Sequence, residues 1–272
     1  MNYRHAFHAG NFADCVKHAL LVWLLRAMAR KDKPFLVLDT HAGLGQYDLA
    51  AAEALRTGEA NGGILRLLDD PPAALADYVG VVRSLGLYPG SPAITRAMLR
   101  PGDRLICCEL HPEDHAVLRR HFRDDRAVSV HLRDGYASLG AFLPPAERRG
   151  LVVIDPPYEA ADEFSRVAAA LGAAWRRFPG GVYAAWYPIK HRAPVRGFVA
   201  ALREGGVRDV VAAEFWLREP LDASRLNGCG LAVVNPPWQF EVEAPAILGA
   251  LLGRLGSGER GEGFAVERWV DE

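Results

Sequence analysis

The run Asp155-Pro156-Pro157-Tyr158 follows directly on the apolar stretch Leu151-Val152-Val153-Ile154. A short buried strand that ends in an acid, two prolines and an aromatic makes a stiff polar ledge at a sheet edge. Proline fixes φ at about −65° and holds the residue before it extended, so the carboxylate and the Pro156 carbonyl point away from the sheet. Such a ledge suits the exocyclic amine of a planar base. The lone pair of that amine is delocalised into the ring, so modifying it requires acceptors for both N–H groups and a surface that fixes the ring. Asp155 and the Pro156 carbonyl can accept, and Tyr158 can stack, at about 1–3 kcal/mol per base.

Three more acids fall at the ends of apolar runs. Asp39 opens the turn Asp39-Thr-His-Ala-Gly43-Leu-Gly45 after strand residues 35–38, Glu109 follows 105–108, and Asp134-Gly135 follows 128–131. In an open α/β sheet, ligands bind beyond the carboxyl ends of the strands, so four acids at four such ends ring one crevice. Gly43 and Gly45 let the backbone approach a ligand. Glu109 can accept both hydroxyls of a ribose, Asp134 can meet an adenine amino group, and Asp39 can face an ammonium. This donor set matches S-adenosylmethionine. Each acid alone reads as a turn former or cap, and a Gly-x-Gly turn alone is a weak signal; their order along the sheet carries the inference. A nicotinamide or flavin enzyme is disfavoured, because Asp48 stands at the third glycine position of Gly-x-Gly-x-x-Gly and no strand-end acid lies about 20 residues on.

The elements that must position these residues are legible as alternation. Residues 12–33 have helical apolar spacing and a basic end before Pro34; strands are predicted at 35–38, 105–108, 128–131, 151–154 and 181–187, with helices or loops between them. This is a doubly wound, mostly parallel α/β sheet of Rossmann-like type. Between 46 and 100 only helical stretches are visible (50–55, 63–68, 73–85 and 93–99), which predicts a helical insertion after the first strand. The main domain is then 1–45 with 101–272, and the insertion subdomain 46–100. Residues 210–217 and 230–234 predict an antiparallel hairpin that completes seven strands; a helix at 246–255, a glycine-rich linker and a strand-like end at 264–270 follow. If the last hairpin strand runs antiparallel, the second ledge, Asn235-Pro-Pro-Trp238, lies at the opposite sheet edge and is a rigid exit with a packed Trp238.

With 272 residues, 50% of them hydrophobic, the chain can fill a continuous core. It lacks an apolar run long enough to cross a membrane, and its first ten residues lack a secretory signal, so a cytoplasmic protein with no membrane or obligate protein partner is expected. Cys15, Cys107, Cys108 and Cys229 lack Cys-x-x-Cys spacing, and no metal site is expected. A net charge of −1 excludes coating of nucleic acid by bulk charge, so contacts must be local. Two basic patches stand out: the N-terminal segment with Arg4, His5, His8, Lys17, Arg26, Arg30, Lys31 and Lys33, and Lys190-His191-Arg192 with Arg196.

Nearly the whole chain resembles the ribosomal RNA large subunit methyltransferase J family. The resemblance rests on Tyr3-Arg-His-x-Phe-His-Ala-Gly-Asn11, Asp14 with Lys17-His18, Lys33-Pro-Phe35, Leu38-Asp-Thr-His-Ala-Gly-x-Gly45, Tyr88-Pro-Gly-Ser-Pro92, Asp134-Gly135, Asp155-Pro-Pro-Tyr-Glu159, Trp186-Tyr-Pro-Ile-Lys190 and Asn235-Pro-Pro-Trp238. It implies N6-methylation of one adenosine in 23S ribosomal RNA, on naked or early-assembly rRNA. It also implies that His18, His41, Ser91, Glu109, Asp134, Gly135 and Asp155 surround S-adenosylmethionine and that Tyr3 lies near the incoming adenosine. By residue type alone His18 is a helix-surface residue and Ser91 a turn residue. Phe12 and Cys15 are positions where variation is expected. The alternatives are an amino-methyltransferase of the same Asp-Pro-Pro-Tyr type acting on DNA or protein, and a cofactor-binding RNA chaperone with a vestigial ledge.

Overall fold

The computed structural model describes residues 7–272. Tyr3, Arg4 and His5 lie outside the described residues. Among the described residues the α-helices and strands follow in the order α1 (Phe12–Ala29), β1 (Leu36–Asp39), β2 (Gln46–Tyr47), α2 (Ala52–Thr57), α3 (Leu65–Leu68), α4 (Ala76–Leu85), β3 (Tyr88–Pro89), α5 (Ser91–Met98), β4 (Arg104–Glu109), α6 (Pro112–His121), β5 (Val128–Leu132), α7 (Gly135–Phe142), β6 (Gly150–Ile154), α8 (Glu163–Arg177), β7 (Val182–Ile189), α9 (Arg192–Glu204), β8 (Val210–Trp216), β9 (Gly228–Val234), α10 (Phe240–Leu255) and β10 (Gly263–Val270).

The main sheet has the order β10-β8-β9-β7-β6-β1-β4-β5. Strands β5, β4, β1, β6 and β7 are parallel neighbours, whereas β9 runs antiparallel to both β7 and β8. The sheet is therefore mixed, with the hairpin at its end. It has eight strands, not seven, because the chain's end returns as β10 and pairs antiparallel with β8. This edge strand is anchored by buried Trp269, beside an irregularity in its pairing with β8, while Glu267 and Arg268 are exposed.

Period-two alternation separates two cores. Val37, Leu105, Cys107, Leu151 and Val153 pack on one face with α1, α4 and α10; Leu36, Leu38, Ile106, Cys108, Val152 and Ile154 pack on the other with α7, α8 and α9. Cys107 and Cys108 thus point to opposite faces, as strand geometry requires. Helix α1 is apolar around its whole circumference and is buried accordingly, with Asn11 capping it by accepting the Asp14 N–H at 2.9 Å.

Within 46–100 the sequence shows no strand, yet Gln46–Tyr47 pairs with Tyr88–Pro89. Two-residue strands leave no periodic signal. Their consequence is large, since the ladder and the Gly90 N–H donating to the Gly45 carbonyl at 2.9 Å draw the end of the segment back to its beginning. Helix α10 begins at Phe240, before Pro245, which the helix accommodates in its second turn. The sequence pattern predicts a later start, at 246.

Candidate active site

Because β1, β4, β5 and β6 are parallel and paired in register, Asp39, Glu109, Asp134 and Asp155 gather at one edge of the sheet. A cleft of about 1630 Å³ opens there. Single small-molecule sites commonly occupy about 300–1,000 Å³, so the space exceeds one such ligand. His18, His41, Gly43, Ser91, Glu109, Asp134, Gly135, Asp155, Pro156, Tyr158, Lys17 and Lys190 all line it; Asp39 and Gly45 do not.

Asp155 leaves β6 with its carboxylate facing α1. Lys17 Nζ donates to Asp155 Oδ2 at 2.5 Å and lies 3.0 Å from Asp14 Oδ1. Lys17 is only 6% exposed, and Asp14 3%. A solvent-facing, RNA-binding Lys17 is thereby corrected: its ammonium is spent inside the protein, holding two carboxylates together. Asp14 Oδ2 also accepts the Gly10 N–H at 3.0 Å, which fixes the acid from the other side. The pair is one turn of α1, and it places the helix start against the Asp-Pro-Pro-Tyr ledge.

The place of Asp39 also differs from the expectation that it faces an ammonium. It is fully buried, accepts Ser91 Oγ–H at 2.6 Å and the His41 N–H at 3.3 Å, and so stands behind both residues. Ser91, brought back by the β2–β3 ladder, presents to the cleft in its stead. His18 is likewise fully buried, its Nδ1 3.0 Å from Tyr88 Oη, which corrects a helix-surface reading. Burial pushes the Asp39 carboxyl up to about 6, with Asp155 adding repulsion and Ser91 opposing. A carboxyl raised in the fold above its unfolded value stabilises below that value and loses the contribution as pH rises toward 6. His41 acts in the opposite sense: burial lowers it to about 4, so its contribution is present at neutral pH and lost in acid. Asp39→Asn should therefore gain stability over the wild type as pH rises from about 4 to about 7, by on the order of 3 kcal/mol at the end of the range, read by urea unfolding at each pH. A pH-independent difference would show that Asp39 is ionised with no penalty.

Glu109 accepts two backbone N–H groups, Gly43 through Oε2 at 2.8 Å and His111 through Oε1 at 2.7 Å. Burial raises its pKa against these bonds. Each oxygen keeps a further lone pair, so the fixed carboxylate can still accept a pair of vicinal hydroxyls. Asp134 caps α7, accepting the Ala137 N–H at 2.8 Å. Gly135 is required by close approach: a Cβ there would overlap the Thr40 carbonyl and come within 2.8 Å of the His41 ring. Gly45 serves the turn and not the cleft; its φ of +84° and a built Cβ 2.7 Å from Leu118 Cδ1 explain the glycine by packing.

The chain is similar over nearly its whole length to proteins of one known family. Residues 32–270 match the family model "Ribosomal RNA large subunit methyltransferase D, RlmJ". The chain is 40% identical to Ribosomal RNA large subunit methyltransferase J of Escherichia coli and 39% identical to that of Haemophilus influenzae, each over 99% of both chains. The chain belongs to this family. A crystal structure of a Legionella pneumophila protein superposes with a TM-score of 0.88 at 35% identity, covering 96% of this chain and 98% of that one. The RlmJ-family chain is thus a methyltransferase with the class I, S-adenosylmethionine-dependent α/β fold.

In this RlmJ-family enzyme the second ledge is remote from the cleft. β9 runs against β7, and Asn235 Nδ2 donates to the carbonyls of Pro179 (2.7 Å) and Gly181 (2.6 Å), at the start of β7. Trp238 is not packed as expected; it is 80% exposed. The first ledge is braced by groups that sequence reasoning passed over. Tyr158, at a φ of +50°, donates its hydroxyl to the Trp186 carbonyl at 2.8 Å and sets its ring against Trp186 and Phe164. Behind it, buried Glu163 accepts Tyr136 Oη–H at 2.6 Å and pairs with Arg166 at 3.2 Å. Glu163 sits four residues after Glu159 at the head of α8, where an acid reads as a helix-start preference; only burial marks it out. Asp14 and Lys17 did carry a signal, as two charges three apart on a helix otherwise apolar all round.

The basic patches are thinner than their residues suggest. Arg26 pairs with Asp77, Arg30 lies 3.6 Å from Glu243, and His8 Nδ1 is 2.8 Å from Glu59. Arg192 is taken up by Glu214 and the Trp216 ring. Lys190 is exposed on the cleft rim.

Proposed function

We propose that this chain transfers a methyl group from S-adenosylmethionine to N6 of a specific adenosine in 23S ribosomal RNA, acting in the cytoplasm on naked or early-assembly rRNA. The observation that carries the reading is that Asp155, the acceptor suited to an exocyclic amine, shares one cleft with Glu109, the acceptor suited to a ribose. The names of the E. coli and H. influenzae relatives support ribosomal RNA as the substrate class.

The residues fit the cofactor by the chemistry of their donor set. Glu109 offers paired acceptors, Asp134 an acceptor beside the bare backbone of Gly135, and Ser91, His18, His41 and Asp155 surround the remaining polar space, with Asp39 setting Ser91 from behind. When bound, S-adenosylmethionine supplies an electrophilic methyl on a sulfonium. Asp155 and the Pro156 carbonyl accept the two amino hydrogens of adenine and direct the nitrogen lone pair toward that methyl. Tyr158 stacks on the base, its ring held in place by the Trp186 carbonyl. Lys17 fixes the orientation of Asp155 by its 2.5 Å contact. Asp155 need not be a strong general base, because a methylated aminium is acidic enough to lose its proton to water. The adenosine must leave its stack to reach the ledge, which favours an unpaired site in RNA. Tyr3, Arg4 and Lys190 complete the proposal as RNA contacts, and residues 46–100 as a subdomain inserted in 1–45 and 101–272.

The test is to map N6-methyladenosine in 23S rRNA from cells lacking the protein. One adenosine should lose its methyl group and regain it in vitro with purified protein and S-adenosylmethionine. Unchanged rRNA with incorporation into DNA or protein would favour the alternative substrates, and RNA binding without turnover would favour a chaperone.

A further inference from the structure

Five lysines and arginines line the cleft: Lys17, Arg166, Lys190, Arg218 and Arg225. Three are neutralised within the protein. Lys17 holds Asp14 and Asp155, Arg166 pairs with Glu163, and Arg218 grips Glu259 with two nitrogens at 2.8 and 2.9 Å while also donating to the Leu226 carbonyl. Lys190 and Arg225 are exposed and have no ion pair among the described residues. The two come from different segments, the end of β7 and the loop between β8 and β9. One buried residue joins them. Asn227 Nδ2 donates to the Lys190 carbonyl at 2.8 Å and to the Asp222 carbonyl at 2.7 Å, and the Asn227 N–H donates to the Ile189 carbonyl at 3.1 Å. The acids nearest Arg225 are engaged elsewhere: Asp222 Oδ1 accepts Ser224 N–H and Oγ–H at 2.9 and 2.6 Å, and Glu259 is held by Arg218.

We infer that Lys190 and Arg225 form a two-point subsite for the backbone phosphates that flank the target adenosine. The inference rests on the proposed reading of the ledge. A nucleotide seated at Asp155 is covalently attached to a phosphodiester on either side, so anions must lie on the rim of whatever cleft holds the base. Acids also line the cleft, among them Glu109, Asp114, Asp134 and the exposed Glu159, and they repel a polyanion. Trp186, Pro188, Leu217 and Leu226 line the same cleft, and Lys190 and Arg225 are its lining lysine and arginine without an ion pair among the described residues. Such contacts position the strand without reading its sequence.

The experiment measures methyl transfer to an unmodified 23S rRNA transcript by the full chain and its variants Lys190→Ala, Arg225→Ala and the double variant, at several salt concentrations. Both side chains are solvent-exposed, so the variants fold. Each single change should raise KM for RNA about 3- to 10-fold at low salt with kcat nearly kept, and the double change should reduce the logarithmic salt slope by about 1.5. Lys190→Arg and Arg225→Lys should stay close to wild type, as should Arg123→Ala, which removes an equal charge from an exposed helix end outside the cleft. Affinity for S-adenosylhomocysteine should not move. A double variant with wild-type KM and salt slope, in a preparation where the wild type methylates the transcript, would overturn the subsite and leave the reaction standing. No transfer by the wild type would overturn the underlying reading, and the subsite with it.

Discussion

Asp155→Ala should lower kcat for methyl transfer to 23S rRNA by about 10²–10³-fold, the cost typical of losing one acceptor or donor aimed at the reacting group. The loss should fall on kcat more than on KM, because the contact matters most as the amino nitrogen becomes nucleophilic. Folding should survive. The side chain is 17% exposed, and Asp14 remains to pair with the buried Lys17 ammonium. Circular dichroism and the urea midpoint are the controls. Activity within several-fold of wild type would remove Asp155 from the mechanism.

Lys17→Met is the second large effect, and it separates two roles in one residue. Asp14 and Asp155 would then face each other across a buried gap without the cation they share. Removing one member of a buried charge cluster costs about 3–5 kcal/mol, so the urea midpoint should fall sharply. Asp155 also loses the group that orients its carboxylate, so kcat should fall about tenfold or more with KM for RNA nearly kept. Lys17→Arg supplies the charge with different geometry and should restore stability more than rate. A kcat that stays at the wild-type value in Lys17→Met would mean that the ammonium serves packing and not Asp155.

Much of this site was legible before the fold was known. Short, mostly continuous apolar runs ending in acids place Asp39, Glu109, Asp134 and Asp155 on one edge, because parallel strands of similar length bring their ends together. The mixed sheet followed from the change of pattern after Val210, and the direction of its last hairpin strand separated the two Pro-Pro ledges. Asp39 illustrates the limit: a strand-end acid looks the same in sequence whether it touches ligand or stands behind a serine 52 residues away. That partnership depends on the two-residue ladder at Gln46–Tyr47 and Tyr88–Pro89, which is too short for any periodicity. Lys17 failed differently. Grouped with surface cations by sequence proximity, it lies on the helix face turned to β6, and a contact spanning 138 residues is set by the fold alone. Trp238 reversed the usual error, being a large apolar residue left in solvent; nothing in its neighbours forecasts that exposure.

The most direct test of the central claim is a crystal structure of the protein with S-adenosylhomocysteine. The account predicts the ribose hydroxyls on Glu109, the adenine amino group at Asp134, and the sulfur facing Asp155 across the space where N6 must enter. A ligand lodged beside Asn235, or Glu109 and Asp155 found on opposite sides of a cleft that the ligand does not bridge, would contradict it.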